Sequence, residues 1–113
     1  MTPWRVGLIG FGEVGGIFAR ALAAHPAVAR VSAWDVRFET DLVFSAQVSA
    51  PVRAAASCAA LCEEATLVIS AVTAANTLAV ARQAAGSIRP DTIFLDLNSA
   101  SPGVKQQAAQ AIQ

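Results

Sequence analysis

Three glycines, Gly10, Gly12 and Gly15, stand between a β-branched apolar run and a stretch with helical spacing, and no other feature restricts the fold as severely. Trp4–Ile9 reads as a strand. Residues 13–25 read as a helix stopped by Pro26, which disfavours helical geometry at its predecessor. A chain that turns directly from strand to helix must reverse tightly, and Gly10-Phe11-Gly12-Glu13-Val14-Gly15 has the spacing for it. Gly10 permits the turn, Gly12 lets a ligand approach the backbone, and Gly15 lets helix and strand pack closely. The free N–H groups of the helix start, helped by the macrodipole, then favour an anion such as a dinucleotide's diphosphate. The bland alternative is a tight turn that holds nothing.

The same alternation continues along the chain. Strands are expected over 28–35, 66–72 and 93–97, and the nearly unbroken apolar run at 66–72 suits a central parallel strand covered on both faces. Helices are expected from Ser57, as cap, through Glu63 or Glu64; over 74–85, closed by Gly86; and from Pro102 toward the end. A weaker helix is expected over 37–49, with Phe38, Leu42 and Phe44 as its apolar members, and a short edge strand over 51–54. Repeated βαβ units imply the α/β class: a Rossmann-type doubly wound parallel sheet, order 3-2-1-4-5, in three α/β/α layers.

Length and composition bound the rest. The 113 residues suffice for one core and no second domain, so 1–113 reads as a single dinucleotide-binding domain. A 55% hydrophobic, 14% charged chain is not a disordered one. Eight basic residues balance eight acidic ones, which offers no broad attraction to nucleic acid or to an anionic membrane. Glu13, Arg20 and the glycines interrupt the apolar stretch over 6–24, and no run approaches the roughly 20 apolar residues that span a bilayer. A cytoplasmic protein is the expectation. Cys58 and Cys62 lie one helical turn apart without further ligands nearby, so they read as buried free thiols, and no metal site is expected.

The remaining candidates sit at strand ends, where ligands of open α/β sheets bind. Asp35 closes the second strand about 20 positions past the glycines, the place for an acid that accepts hydrogen bonds from the adenosine ribose. Its charge favours NAD, while Arg37 two residues later could clamp the extra phosphate of NADP. Val72, Thr73 and Asn98 suit the nicotinamide-side ribose, and Asn98 and Ser99 are candidate substrate-binding residues. Helix capping is the competing role for Ser99 and Ser101. His25, the one histidine, stands at the wrong end of the first helix for proton transfer, and Asp96 reads as structural.

Three segments carry a resemblance over nearly the whole chain: Gly-Phe-Gly-Glu-Val-Gly from position 10, Val-Ile-Ser-Ala-Val-Thr from 68, and Asp-Leu-Asn-Ser-Ala-Ser-Pro from 96. Together they resemble the β-hydroxyacid dehydrogenase family, which includes 3-hydroxyisobutyrate, tartronate-semialdehyde and 6-phosphogluconate dehydrogenases. The resemblance implies an NAD(P)-dependent oxidoreductase acting on a small hydroxy acid, homo-oligomeric in its full-length form. It also implies that Asp96, Asn98, Ser99 and Pro102 occupy the family's substrate-holding Asp-x-Ser-Thr-x-x-Pro-like motif, from whose commonest wording Asn98 and Ser99 depart. The family's catalytic lysine and a nearby asparagine come from a later interdomain helix and an all-α domain. No catalytic residue is therefore assigned within 1–113, and Lys105, the chain's one lysine, does not match that position. Such a piece would bind cofactor without turning over. Two rival classes remain: a stand-alone dinucleotide-binding or redox-sensing module, and a methyltransferase, in which the segment from Asp96 has no place.

Overall fold

In the computed structural model, which describes residues 2–113, every expected apolar run becomes a strand. These are β1 (Trp4–Ile9), β2 (Val28–Trp34), β3 (Val52–Ala54), β4 (Leu67–Ser70) and β5 (Ile93–Asp96). All four neighbouring pairs are parallel, and the order is β3-β2-β1-β4-β5 as the alternation predicts. The chain leaves β1 toward β2 and β3 on one side and later returns to β1's other side with β4. That reversal opens a crevice beyond the carboxyl ends of the central strands.

Alternating side chains along β1 explain the layers. Leu8 joins a core with Val6, Ala19, Val31, Ala33 and Ile69 beneath α1 (Glu13–Ala23). Ile9 points the other way, into a core with Trp34, Leu61, Val68, Val80 and Ala84 beneath α3 (Cys58–Glu64) and α4 (Thr77–Ala85). α5 (Pro102–Ile112) covers the same face, with Ile112 against that core. Each face of the sheet is thus covered by helices. Complete burial of Leu8 and Ile9 contributes roughly 1.5–3 kcal/mol each. Among the described residues no helix is long and apolar enough to cross a membrane.

Capping fixes several helix starts. Ser57 Oγ accepts from the Ala60 N–H at 3.0 Å, and Ser101 Oγ accepts from the Val104 N–H at 3.3 Å ahead of Pro102. The expected helix over 37–49 is instead two pieces. Asp35 accepts from the Arg37 N–H and starts a 3-10 turn, Val36–Glu39; Asp41 accepts from the Phe44 N–H and starts α2, Leu42–Ala46. Two aspartates competing for nearby backbone donors divide what the apolar spacing alone would have joined. Similarly, Ala74–Asn76 is a 3-10 turn and α4 begins only at Thr77. β2, β4 and β5 each stop one or two residues earlier than expected, because the residues that follow them turn out into the crevice.

Candidate functional site

The carboxyl ends of β1, β2, β4 and β5 open into one cleft of about 800 Å³, within the ordinary size of small-molecule sites. Gly10 turns the chain there with φ at +105°, a conformation that L side chains rarely adopt, and its N–H donates to the Trp34 carbonyl at 2.7 Å. Gly15 serves close packing: a Cβ at that position would overlap the Gly10 carbonyl oxygen. Gly12 is different. Its backbone is extended, and a Cβ would meet only Arg37 Nη2, at an ordinary 3.6 Å. Folding therefore requires two of the three glycines, and the third keeps the cleft floor bare.

Gly12 is also the N-cap of α1 and has no side chain to cap it. Where Ser57, Ser101 and Asp41 satisfy their own helix starts, α1 presents first-turn amides to the cleft beside Glu13, Val14 and Gly15. α4, which forms another wall, likewise starts at Asn76 without a side-chain cap, since the Asn76 amide donates to Thr73 Oγ1 at 2.8 Å. The start of α1 is the bare surface that a diphosphate needs, whereas at α4 the Asn76 and Thr77 N–H groups already donate to the Thr73 and Ala74 carbonyls.

Asp35 lies at the cleft edge, and its carboxylate is already heavily engaged. Oδ2 accepts from the Phe11 N–H at 2.9 Å and from Arg37 Nη2 at 3.1 Å; Oδ1 accepts from the Arg37 N–H at 2.9 Å and from Nε at 3.1 Å. Burial works to raise the Asp35 carboxyl's pKa, but the Arg37 side chain and the two backbone donors outweigh it and hold the group below its usual value. The Arg37 guanidinium, fixed on Asp35, also lies 3.8 Å from the centre of the Phe44 ring.

On the far side, Asn98 is 4% exposed and braces two strand ends. Its Oδ1 accepts from the Val72 N–H at 2.7 Å, and its Nδ2 donates to Ser70 Oγ at 2.9 Å. Asp96 accepts from the Asn98 N–H at 2.8 Å and faces Lys105 Nζ at 3.9 Å, a pairing that the sequence does not signal.

The cleft brings together Gly10, Gly12, Glu13, Val14, Gly15, Asp35, Arg37, Val72, Thr73, Asn98 and Ser99. Phe11 is not on its surface: the ring packs edge-on against Phe38, 6.3 Å between centroids, and only its amide reaches the site, through Asp35. Ser101 caps α5, and His25 sits at the other end of α1, where its Nδ1 accepts from the Ala27 N–H at 3.0 Å. Cys58 and Cys62 are buried free thiols in the core below; hydrogen bonding with Cys58 and burial push the Cys62 thiol up. The sequence reading missed Trp34, Val36 and the wall of α4, formed by Asn76, Ala79, Val80 and Gln83. Their i, i+3, i+4, i+7 spacing was the available signal. Of the lining side chains only Glu13, Asp35 and Arg37 are ionisable, and the last two are paired with one another.

The comparisons agree with this geometry. Residues 5–113 match the family described as the NAD binding domain of 6-phosphogluconate dehydrogenase. A conserved hypothetical protein from Sinorhizobium meliloti superposes with a TM-score of 0.88 at 34% identity, over 99% of this chain and 38% of that one. A conserved protein of unknown function, described as structurally similar to 3-hydroxyacid dehydrogenases, gives 0.74 at 30% identity over 96% and 40% of the two chains. The 3-hydroxyisobutyrate dehydrogenase of Mycobacterium tuberculosis gives 0.77 at 21% identity, over 96% and 36%, a likeness of fold. This chain thus spans well under half the length of each of these three. No curated protein matches it significantly.

Proposed function

We propose, since this chain belongs to the family of NAD-binding domains of 6-phosphogluconate dehydrogenase, that its cleft serves hydride transfer between a nicotinamide dinucleotide and a small β-hydroxy acid. The observation that carries the reading is Gly12: a position bare for no reason of folding, at an uncapped helix start, inside the cleft. Bound there, the nicotinamide ring would supply or accept the hydride. The first-turn amides of α1 hold the diphosphate, and Asp35 accepts from the hydroxyls of the adenosine ribose. Val72 and Thr73 border the second ribose, Asn98 fixes their position by holding the Val72 amide, and Ser99 at the rim donates to the substrate's carboxylate or hydroxyl.

NAD is preferred over NADP on this reading. Arg37 is turned onto Asp35 through Nε and Nη2, so a 2′-phosphate held by its remaining donors would still lie beside a carboxylate. The acid/base lysine comes from a further, helical domain outside 1–113, so the chain alone binds without turnover. The complete enzyme is a cytoplasmic homo-oligomer whose substrate is of the 3-hydroxyisobutyrate or phosphogluconate kind. Titration of the chain with NADH, NADPH and S-adenosylmethionine, followed by fluorescence, tests the reading. NADH should bind most tightly; a preference for NADPH reverses the cofactor assignment, and a preference for S-adenosylmethionine ends the dehydrogenase reading.

A further inference from the structure

The sheet has two edges, and they differ. At one, β3 is three residues long, follows Pro51 and carries an exposed Arg53, features that blunt an edge against further pairing. At the other, β5 pairs with β4 alone among the described residues, and the segment 93–97 has no lysine, arginine or proline. The N–H groups of Ile93 and Leu97 donate inward, to the Thr66 and Ser70 carbonyls, so by alternation the N–H and C=O of Phe94 and Asp96 point out along the free edge. Both faces of this edge are apolar. Phe94 packs against the core beneath α4, and with Ala108 and Ile112 it lines a groove of about 250 Å³ between β5 and α5. Ile93, Leu95 and Leu97 stand on the opposite face, 52%, 44% and 38% exposed, because α1 lies over β1, β2 and β3 instead.

Such an edge is completed by another strand, and its own residues say which. Antiparallel pairing of β5 with itself uses the outward groups when the two-fold axis falls at Phe94, Leu95 or Asp96. An axis at Asp96 sets two carboxylates opposite one another, and an axis at Phe94 sets Leu97 opposite Asp91. With the axis at Leu95, Phe94 of each copy exchanges both backbone hydrogen bonds with Asp96 of the other. Leu95 then meets Leu95, and Ile93 meets Leu97, all in the closely spaced positions that lack mutual hydrogen bonds. Every exposed apolar side chain of the edge thus finds an apolar neighbour. The Asp96 carboxylate stays with its own Lys105, 3.9 Å away, so the pairing buries no lone charge. We propose that this chain forms a homodimer by antiparallel pairing of β5 with β5 of a second copy, which joins the two sheets into one. The dimer does not depend on what the cleft holds.

Sedimentation velocity of the 113-residue chain should show a monomer–dimer equilibrium with a dissociation constant in the micromolar range, as a small interface gives. Leu95→Lys, which brings two ammonium groups together at the axis, should raise that constant roughly tenfold or more and leave the circular dichroism spectrum unchanged. Cysteines read the register, since Cys58 and Cys62 are buried. Under mild oxidation Leu95→Cys should cross-link to itself, because residues opposed in this way have Cα atoms about 4.5 Å apart, within disulfide reach. Ile93→Cys should cross-link to Leu97→Cys in a mixture, and neither should do so alone. A chain that stays monomeric to about 1 mM overturns the proposal. A dimer indifferent to Leu95→Lys, or one in which Leu95→Cys does not cross-link, overturns it too. Should Leu95→Lys fail to fold, the Leu95→Cys cross-link decides, together with hydrogen exchange of the unmodified chain, in which the Phe94 and Asp96 amides should slow as concentration rises.

Discussion

Replacing Gly12 and Gly15 separately by alanine should divide ligand binding from folding. At Gly12, with φ −78° and ψ −160°, alanine fits the backbone, and its Cβ meets nothing closer than Arg37 Nη2 at 3.6 Å. Stiffening the unfolded chain favours the alanine by about 0.4–1 kcal/mol. Loss of glycine at an N-cap opposes it by about 0.5–1 kcal/mol. The two nearly cancel, so Gly12→Ala should stay within about 0.5 kcal/mol of the parent. At Gly15 the new Cβ falls on the Gly10 carbonyl oxygen, and Gly10 cannot retreat, because its own positive-φ turn is pressed against the Ala71 carbonyl. Forced overlap of that kind costs about 3 kcal/mol. Urea unfolding followed by circular dichroism would read this as a midpoint about 2 M lower for Gly15→Ala, at an m-value of roughly 1.5 kcal/mol/M. Calorimetry with ADP-ribose should show Gly12→Ala weakened at least tenfold, about 1.4 kcal/mol, with its stability intact. The reasoning fails if Gly12→Ala binds as the parent does, or if it unfolds as early as Gly15→Ala.

Asp35→Ala leaves the buried Phe11 N–H without an acceptor and should cost about 1–3 kcal/mol, visible in the same urea titration; a change under about 0.5 kcal/mol would mean that the carboxylate is not structural. Since the folded carboxyl sits below its ordinary value, its stabilisation is complete above about pH 4 and is lost as pH falls through the folded value. The stability gap between the parent and Asp35→Asn should therefore close in acid below about pH 4 and stay constant from there to neutrality. Asn98→Ala strands the Val72 N–H and the Ser70 hydroxyl, and should lower Tm by about 5–10 °C in a calorimetric scan. Cys58 and Cys62 should react with a thiol reagent only as fast as the chain unfolds; rapid labelling of the native protein would contradict their burial.

The fold was legible because its signals are local and repeated. Each strand but the short edge strand β3 announces itself as an apolar run, and parallel order follows from the helices between them. Ser57 and Ser101 could be read as caps for the same reason: a hydroxyl just before a helical run has a backbone donor within reach. Over 37–49 the same rule was present but unread, since Asp35 and Asp41 are caps whose effect outweighs the apolar spacing. The glycine motif indicated where the cleft lies, and Asp35, Val72 and Asn98 were found by their places at strand ends. Their bonding was not legible. Nothing in sequence spacing says that Arg37 folds back on Asp35 or that Asn98 ties Val72 to Ser70, because those contacts depend on which strands become neighbours. Phe11 shows the opposite limit: inside the motif by position, it packs in the core with Val6 and Leu8, because the positive-φ turn at Gly10 breaks the alternation that would have placed it beside Ile9.

α1 begins without a side-chain cap at the cleft, and the attraction it offers is made of peptide groups rather than of lysines or histidines. Peptide groups neither acquire nor release protons under physiological conditions, so this part of the attraction for a diphosphate does not vary with pH. With the molecule's formal charges in balance, no long-range field draws anions in from bulk solution. Capture begins at contact, where shape discriminates, and added salt should slow or weaken it far less than it would in a socket lined with cations.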